Sequence, residues 1–165
     1  VQSEPGKGSS FIVEIPCRIV SEEERIDQAE QSMPENFLKC KRILLVEDNE
    51  LNVEIARTIL QDVQAEVEVA ADGAIAVAML QKAPVGYYDV ILMDIQMPKM
   101  NGYQATEAIR KLPDERAQVP IIAMTANAFE EDRQAAFAAG MDDYLAKPIE
   151  IDKLLRKIVK ALKKK

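Results

Sequence analysis

From Lys41 onward, short apolar runs alternate with stretches in which apolar residues recur at helical spacing. The runs predict five strands, at 42–47, 67–70, 89–94, 119–124 and 143–146. Continuous apolar runs of this kind are typical of strands buried on both faces of a parallel sheet. The stretches between them predict helices whose lengths suit right-handed crossovers. The alternation therefore predicts an α/β fold with a doubly wound, five-stranded parallel sheet and five helices.

Apolar residues within the predicted helices indicate the faces that should pack on the sheet. In the first helix these residues are Leu51, Ile55, Ile59 and Leu60. In the last helix they are Ile151, Leu154, Leu155, Ile158, Val159 and Leu162. A further helix is predicted from about Asn127 to Gly140, because glycine readily adopts the left-handed conformation that ends helices.

The composition is that of a soluble globular domain with an additional segment. The 165 residues are 48% hydrophobic and 30% charged, which is enough to bury a sizeable core. The formal net charge of -7 argues against nucleic-acid binding, which normally requires a basic surface. No apolar stretch approaches the roughly 20 residues that span a bilayer, and residues 1–20 lack the layout of a signal peptide. We therefore expect a cytoplasmic location, whether or not the parent protein is anchored in a membrane.

The absence of histidine restricts the chemistry that this chain can perform. It excludes an imidazole general base, a Ser-His-Asp triad and a histidine metal ligand, and the chain cannot carry phosphohistidine. The two cysteines, Cys17 and Cys40, form no CxxC pair, so we expect free thiols in a reducing compartment. Any chemistry must use carboxylates, hydroxyls, lysine and a metal held by oxygen ligands.

Four of the apolar runs lead into polar residues that can handle a phosphoryl group and a divalent cation. The first run leads into Glu47 and Asp48, the third into Asp94, the fourth into Thr125 and the fifth into Lys147. In an open parallel sheet the ligand site lies beyond the carboxyl ends of the strands, so these side chains should meet at one edge. Neighbouring carboxylates repel one another unless a cation relieves them, and Mg²⁺ prefers oxygen ligands.

Most of these residues also have an ordinary structural interpretation. Asp94 could form an Asx turn, and Asp48 could cap the following helix. Thr125 could cap a helix in the same way, and Lys147 could be a solvated surface lysine. Glu47 stands one residue too early for capping. The agreement of four strand ends favours a functional site over these separate explanations.

Four motifs together resemble the receiver domain of two-component response regulators. They are Glu47-Asp48-Asn49, Met93-Asp94-Ile95-Gln96-Met97-Pro98-Lys99-Met100-Asn101-Gly102, Thr125-Ala126 and Lys147-Pro148. The likeness spans about residues 41–163 and implies the flavodoxin/CheY-like fold, with strand order 2-1-3-4-5. It also implies that Asp94 accepts a phosphoryl group from a partner's phosphohistidine, and that this phosphorylation switches the conformation.

The same resemblance implies a magnesium site. Asp48, Asp94 and the backbone carbonyl of Gln96 would bind Mg²⁺ (or Mn²⁺) directly, while Glu47 would act largely through water. Such a receiver catalyses its own phosphorylation and dephosphorylation.

The resemblance also implies which residues contact the phosphoryl oxygens. These would be Thr125, Lys147 and the backbone of Ala126. Tyr144 matches the family's switch aromatic, which turns inward as Thr125 moves towards the phosphate. An ordinary strand aromatic is an equally good interpretation of Tyr144.

The segment SerGluProGlyLysGlySerSerPheIleValGluIlePro (3–16) has a likeness of its own. It resembles the closing glycine box and final strands of a histidine kinase ATP-binding domain, although a Gly/Ser turn at Gly6–Ser10 is the simpler interpretation. The likeness divides the chain into a kinase-domain remnant (1–20), an acidic linker (21–40) and a receiver (41–165). The chain would then be part of a hybrid sensor histidine kinase, with no kinase activity of its own.

Three other functions fit parts of this pattern. A flavodoxin-like cofactor binder shares the architecture, but acids after the first strand would repel a phosphate held without metal. A haloacid-dehalogenase-like phosphatase places Asp-x-Asp on one strand, whereas Asp48 and Asp94 are far apart. A degenerate receiver would serve only as a protein–protein interaction module, and the intact site residues count against it.

The expected partners are the phosphohistidine-bearing dimerisation domain of a histidine kinase and a histidine phosphotransfer protein. The chain ends directly after the last predicted helix, so we expect no DNA-binding domain and an output by relay or by feedback on the parent kinase. The basic C-terminal residues should complement the helix dipole rather than bind nucleic acid. We expect no membrane contact.

Overall fold

The computed structural model describes residues 2–4, 8–10, 37–126 and 130–163. The chain divides into two compact units, Val1–Met33 and Pro34–Lys165. In the first unit, β1 (Gln2–Glu4) pairs antiparallel with β2 (Gly8–Ser10). Gly8–Ser10 therefore lie in a strand and not in the turn of the simpler interpretation. Residues 11–36, including Cys17, lie outside the described residues.

The second unit is built on a parallel sheet in the order β4-β3-β5-β6-β7. Its strands are β3 (Arg42–Val46), β4 (Glu66–Ala70), β5 (Val90–Asp94), β6 (Ile121–Thr125) and β7 (Asp143–Ala146). Counted within this sheet, the order is 2-1-3-4-5. Every residue of β5 and β6 is buried, as expected for strands covered on both faces. The predicted fold and strand order are confirmed.

Five α-helices of this unit lie within the described residues. They are α1 (Glu50–Asp62), α2 (Gly73–Lys82), α3 (Gly102–Arg110), α4 (Glu130–Ala138) and α5 (Ile151–Lys163). The side chains of Asn49, Asp72 and Asn101 cap the first three by accepting hydrogen bonds from first-turn N–H groups. Gly140, with φ 99°, follows α4 in the left-handed conformation. Within the described ranges, no helix has the length and apolarity needed to cross a membrane.

The predicted inward faces of the first and last helices are partly wrong. In α1, Ala56 and Leu60 are buried, but Leu51 is 68% exposed and Ile55 45% exposed. In α5, Ile151 is 54% exposed although the apolar residues after it are largely buried. Leu51 and Ile151 lie in the first turns of their helices. Small Ala56, which an apolar pattern underweights, occupies the inward face instead.

Candidate functional site

The strand register brings the predicted site residues to one edge of the sheet. Val46 pairs with Met93, so Glu47 follows beside Asp94. Asp94 in turn pairs with Met124, one residue before Thr125. Thr125 pairs with Ala146, and Lys147 follows Ala146. The register of four neighbouring strands thus aligns their carboxyl ends, as the sequence predicted.

Three carboxylates form an acidic cluster at this edge. Oxygen atoms of Glu47, Asp48 and Asp94 all lie within 4.8 Å of one another. Glu47 is 2% exposed and Asp94 5% exposed, whereas Asp48 lies in solvent. Two buried acids and one accessible acid offer hard oxygen ligands with an open side, an arrangement that suits a divalent cation such as Mg²⁺.

Lys147 places its ammonium between the two buried acids. Its Nζ lies 2.7 Å from Oε2 of Glu47 and 2.8 Å from Oδ2 of Asp94. Its backbone N–H donates to the carbonyl oxygen of Thr125 at 2.7 Å, and the Lys147–Pro148 peptide bond is cis. One ammonium therefore offsets part of the charge of two carboxylates, and the cluster keeps a net negative charge.

Burial and the contact between Asp94 and Lys147 act in opposite directions on the pKa of each residue. Burial and the neighbouring charge of Glu47 raise the pKa of Asp94 above 3.8, although hydrogen bonds from Lys147 and from the Gln96 N–H oppose this. For Lys147, burial acts to lower the pKa, but the hydrogen bonds to Asp94 and Glu47 outweigh it and raise the pKa above 10.5. An additional cation would therefore favour the ionised form of Asp94.

Asn52 is a site residue that the sequence analysis missed. Its Nδ2 donates to Oε1 of Glu47 at 2.8 Å, while Lys147 occupies the other oxygen. Both oxygens of this buried carboxylate therefore have a donor, which burial requires. A signal was present: Asn52 lies in the first turn of the helix that begins directly after the acidic strand end.

The loop that follows Asp94 is closed by a glycine. Gly102 donates its N–H to the carbonyl of Ile95 at 3.0 Å, and a Cβ at Gly102 would overlap the carbonyl oxygen of Asp94. The N–H of Gln96 donates to Oδ1 of Asp94 at 3.3 Å. A residue larger than glycine at position 102 would therefore displace the backbone that carries Asp94.

The remaining predicted residues occupy the neighbouring strand ends. Thr125 is 7% exposed, and Ala126 is exposed directly after it. Tyr144 is half-buried on β7, where the Nζ of Lys157 lies 4.8 Å from its ring centroid and Phe137 makes an edge-on ring contact at 6.4 Å. The switch role of Tyr144 stays a prediction.

The second unit matches a known sequence family. The family described as the response regulator receiver domain matches residues 43–159. The aerobic respiration control sensor protein ArcB of Escherichia coli (strain K12) is 40% identical over 162 residues, which are 97% of this chain and 20% of ArcB. Hybrid signal transduction histidine kinase L of Dictyostelium discoideum is 38% identical over 148 residues, 86% of this chain and 9% of that protein. The chain thus spans a fifth or less of these relatives.

Solved structures of similar fold include two receiver domains. That of the sensor histidine kinase PA1611 from Pseudomonas aeruginosa PAO1, with a magnesium ion coordinated in its active-site cleft, is 40% identical. It superposes with a TM-score of 0.68, covering 75% of this chain and 98% of that one. The receiver domain of Saccharomyces cerevisiae Ssk1, in complex with the histidine phosphotransfer protein Ypd1, is 30% identical, with a TM-score of 0.65 and coverage of 73% and 88%.

Proposed function

The chain belongs to the response regulator receiver family of two-component signalling, with hybrid sensor histidine kinases among its relatives, and from this we propose that Asp94 is its phosphoryl acceptor. What carries the assignment is the environment of Asp94. Its buried carboxylate lies 2.8 Å from the Lys147 ammonium, and Glu47 and Asp48 complete an acidic cluster around it. A carboxylate held in this way has both the charge and the electrostatic support that phosphoryl transfer requires.

In the proposed step, an oxygen of Asp94 attacks the phosphorus of a partner's phosphohistidine. The O–P bond forms while the P–N bond breaks, and its electron pair returns to the imidazole nitrogen. The protein contributes positioning and charge neutralisation. Lys147, the Thr125 hydroxyl and the N–H of Ala126 would bind the phosphoryl oxygens. Attack of water on the same phosphorus would release phosphate and reset Asp94.

We assign Mg²⁺ as the cation, held by Asp48, Asp94 and the Gln96 carbonyl. All of these are hard oxygen donors, which Mg²⁺ prefers, and Mn²⁺ should substitute for it. Glu47 is assigned a role through water, because both of its oxygens already accept hydrogen bonds from side chains. When bound, Mg²⁺ supplies neutralisation of the charge on the phosphoryl oxygens.

Labelling with acetyl phosphate tests this function directly. In Mg²⁺, intact mass should show one added phosphoryl group per chain, and proteolytic mapping should place it on the peptide that contains Asp94. Chelation with EDTA should abolish the label, because the acidic cluster would then repel the incoming phosphate. Equal labelling with and without Mg²⁺, a label on another peptide, or no label in Mg²⁺ would contradict the proposal.

We further propose that α1 presents an apolar docking surface to a histidine phosphotransfer protein. Leu51 and Ile55 are four residues apart, lie on one side of the helix and are 68% and 45% exposed. The helix is tied to the site by the hydrogen bond from Asn52 to Glu47. A partner helix seated on this apolar pair could therefore present its phosphohistidine to Asp94. The complex of Ssk1 with Ypd1 supports a partner of this class.

Charge placed on this surface should slow transfer from the partner but not labelling by a small molecule. In the double variant Leu51→Glu, Ile55→Glu, transfer from a phosphorylated phosphotransfer protein should slow about tenfold or more, as for loss of an interface hot spot. Val85→Glu is the matched control, since Val85 is 49% exposed and lies outside α1. Equal transfer rates in the double variant and the control would refute the docking surface, and unchanged acetyl phosphate labelling would exclude a damaged site.

The N-terminal segment is proposed to be the end of a kinase ATP-binding domain (1–20) followed by an acidic linker (21–40), with the receiver at 41–165. Supporting this, the similarity to ArcB covers 97% of the chain, whereas the receiver family match begins at residue 43. The parent protein would then be a hybrid kinase whose phosphohistidine domain is a second donor to Asp94. Such a receiver is expected to work in the cytoplasm.

A further inference from the structure

The loop from Ile95 to Asn101, here called the metal-ligand loop, joins β5 to α3 and contains Gln96. One side of it is fixed to the sheet. The N–H of Ile95 donates to the carbonyl of Met124 at 3.1 Å, and Gly102 closes the loop on the carbonyl of Ile95 at 3.0 Å. The other side, around Lys99 and Met100, contacts Asp72 and Gly73 at the start of α2.

Two polar contacts join this outer side to Asp72 and Gly73. The Nζ of Lys99 lies 3.0 Å from Oδ2 of Asp72, and the N–H of Gly73 donates to the carbonyl of Met100 at 3.2 Å. The other oxygen of Asp72 accepts the N–H of Ile75 at 2.8 Å, and Asp72 is 3% exposed. One oxygen of the Asp72 carboxylate is therefore held by the first turn of α2, and the other binds Lys99 of the loop.

Backbone geometry indicates that the loop is held against its own preference. Lys99 has φ 65°, which is a left-handed conformation. This conformation is energetically unfavourable for any residue that has a Cβ atom, and it persists only where surrounding contacts enforce it. At Gly73, a Cβ would lie 2.7 Å from the carbonyl oxygen of Met100 and 2.8 Å from the Cβ of Ala105. The loop backbone thus packs directly on the glycine backbone, with no room for a side chain between them.

We propose that the Asp72–Gly73 turn is a clamp that positions the metal-ligand loop for Mg²⁺, although neither residue touches the metal. This inference rests on the proposed function, in which the Gln96 carbonyl is a ligand. Gln96 lies between the sheet-bound start of the loop and the clamped Lys99. When the clamp is loosened, the Gln96 carbonyl should sample more orientations. Mg²⁺ binding must then order this carbonyl at an entropic cost, which lowers the affinity for Mg²⁺. Outer residues that orient metal ligands affect affinity in this way in other sites.

Two variants test the clamp by different routes. Gly73→Ala should push the Met100 carbonyl away, although alanine is the better helix former and would otherwise favour α2. Asp72→Asn keeps an oxygen that can cap α2 but removes the charge that attracts Lys99. Ala74→Ser is the control, because Ala74 is exposed in the same turn.

The measurement is a titration of each ¹⁵N-labelled protein with Mg²⁺, followed by amide chemical shifts, with no phosphoryl donor present. The dissociation constant of both clamp variants should rise, by about tenfold for Gly73→Ala, and that of the control should not. Amide exchange without metal should quicken at Met100 and Gly102 in both clamp variants.

Dissociation constants equal to that of the wild type, or unchanged exchange, would overturn the clamp. If Mg²⁺ left the wild-type spectrum unchanged, the proposed metal site would be refuted, and with it the effect of the clamp on metal binding. The exchange rates would still report whether the clamp holds the loop.

Discussion

Replacing Asp94 with asparagine should leave the chain without a phosphoryl label in acetyl phosphate and Mg²⁺, while making the metal-free fold more stable at neutral pH. The label is lost because an amide oxygen does not form the acyl phosphate. Stability should rise because Asp94 and Glu47 share one ammonium, that of Lys147, which stays 2.7 Å from Glu47. Removing one of two buried negative charges should add roughly 1 kcal/mol to the free energy of unfolding.

The pH dependence of stability has a definite sign for this residue. The pKa of Asp94 is raised in the folded state, so the fold binds its proton more tightly than the unfolded chain does. Its contribution to stability is fully present below the ordinary value of 3.8 and is lost as pH rises through the folded-state pKa. The difference in free energy of unfolding between Asp94→Asn and the wild type should therefore grow as pH rises from 3.8 to the folded-state pKa of Asp94, and it should stay constant above that pKa. Urea unfolding at a series of pH values measures this difference.

A matched aspartate separates the effect of the site from that of charge alone. Asp62 is exposed at the end of α1, so Asp62→Asn should label like the wild type and change stability by less than about 0.5 kcal/mol. A phosphoryl label that persisted in Asp94→Asn would remove Asp94 from its proposed role. Equal destabilisation by both substitutions would show instead that the cluster does not strain the metal-free fold.

The meeting of the candidate site residues at one edge of the sheet could be predicted from sequence because the fold aligns the ends of its strands. Each of Glu47, Asp94 and Lys147 follows or ends an apolar run, and parallel register alone brings such positions together. Predicting this shared location needed only the period of the hydrophobic pattern and the residue type after each run. This is information that a sequence carries locally, whereas the role of each residue was inferred from the resemblance to receiver domains.

Contacts that depend on how the helices and loops pack on the sheet could not be predicted in the same way. The exposure of Leu51 and Ile55 depends on which side of α1 faces the sheet, and the buried side is that of Ala56 and Leu60. The hydrogen bond from Asn52 to Glu47 and the ion pair of Lys99 with Asp72 join different elements or loops. Asn52 and Lys99 are also residue types found mostly on the surface, so residue type alone does not mark them as contact residues. For Asn52 the signal was its position in the first turn after the acidic strand end.

Replacing Lys147 with methionine should have the largest effect on stability. The side chain is 18% exposed and its ammonium contacts both Glu47 and Asp94, so its removal leaves two buried carboxylates without a cation. Loss of one partner from a buried ion pair costs about 3–5 kcal/mol. Methionine keeps an unbranched apolar side chain, so lost charge rather than a cavity should dominate. The labelling rate should also fall by about 10²–10³, as when one donor to developing charge is removed.

The pH profile separates this electrostatic cost from a packing defect. In the wild type the raised pKa of Lys147 means that its contribution is fully present below 10.5 and is lost only as pH rises beyond that value. In Lys147→Met the pKa of Asp94 should rise further, because the hydrogen bond and the charge of Lys147 that lower it are lost. The loss of stability should therefore shrink as pH falls through that raised pKa. Lys111→Met is the control, since Lys111 is 78% exposed, 4.0 Å from Glu107, and should cost less than about 0.5 kcal/mol. If the loss in free energy of unfolding of Lys147→Met stayed constant with pH, it would indicate lost packing. The buried ion pairs would then not be what stabilises this edge of the sheet without metal.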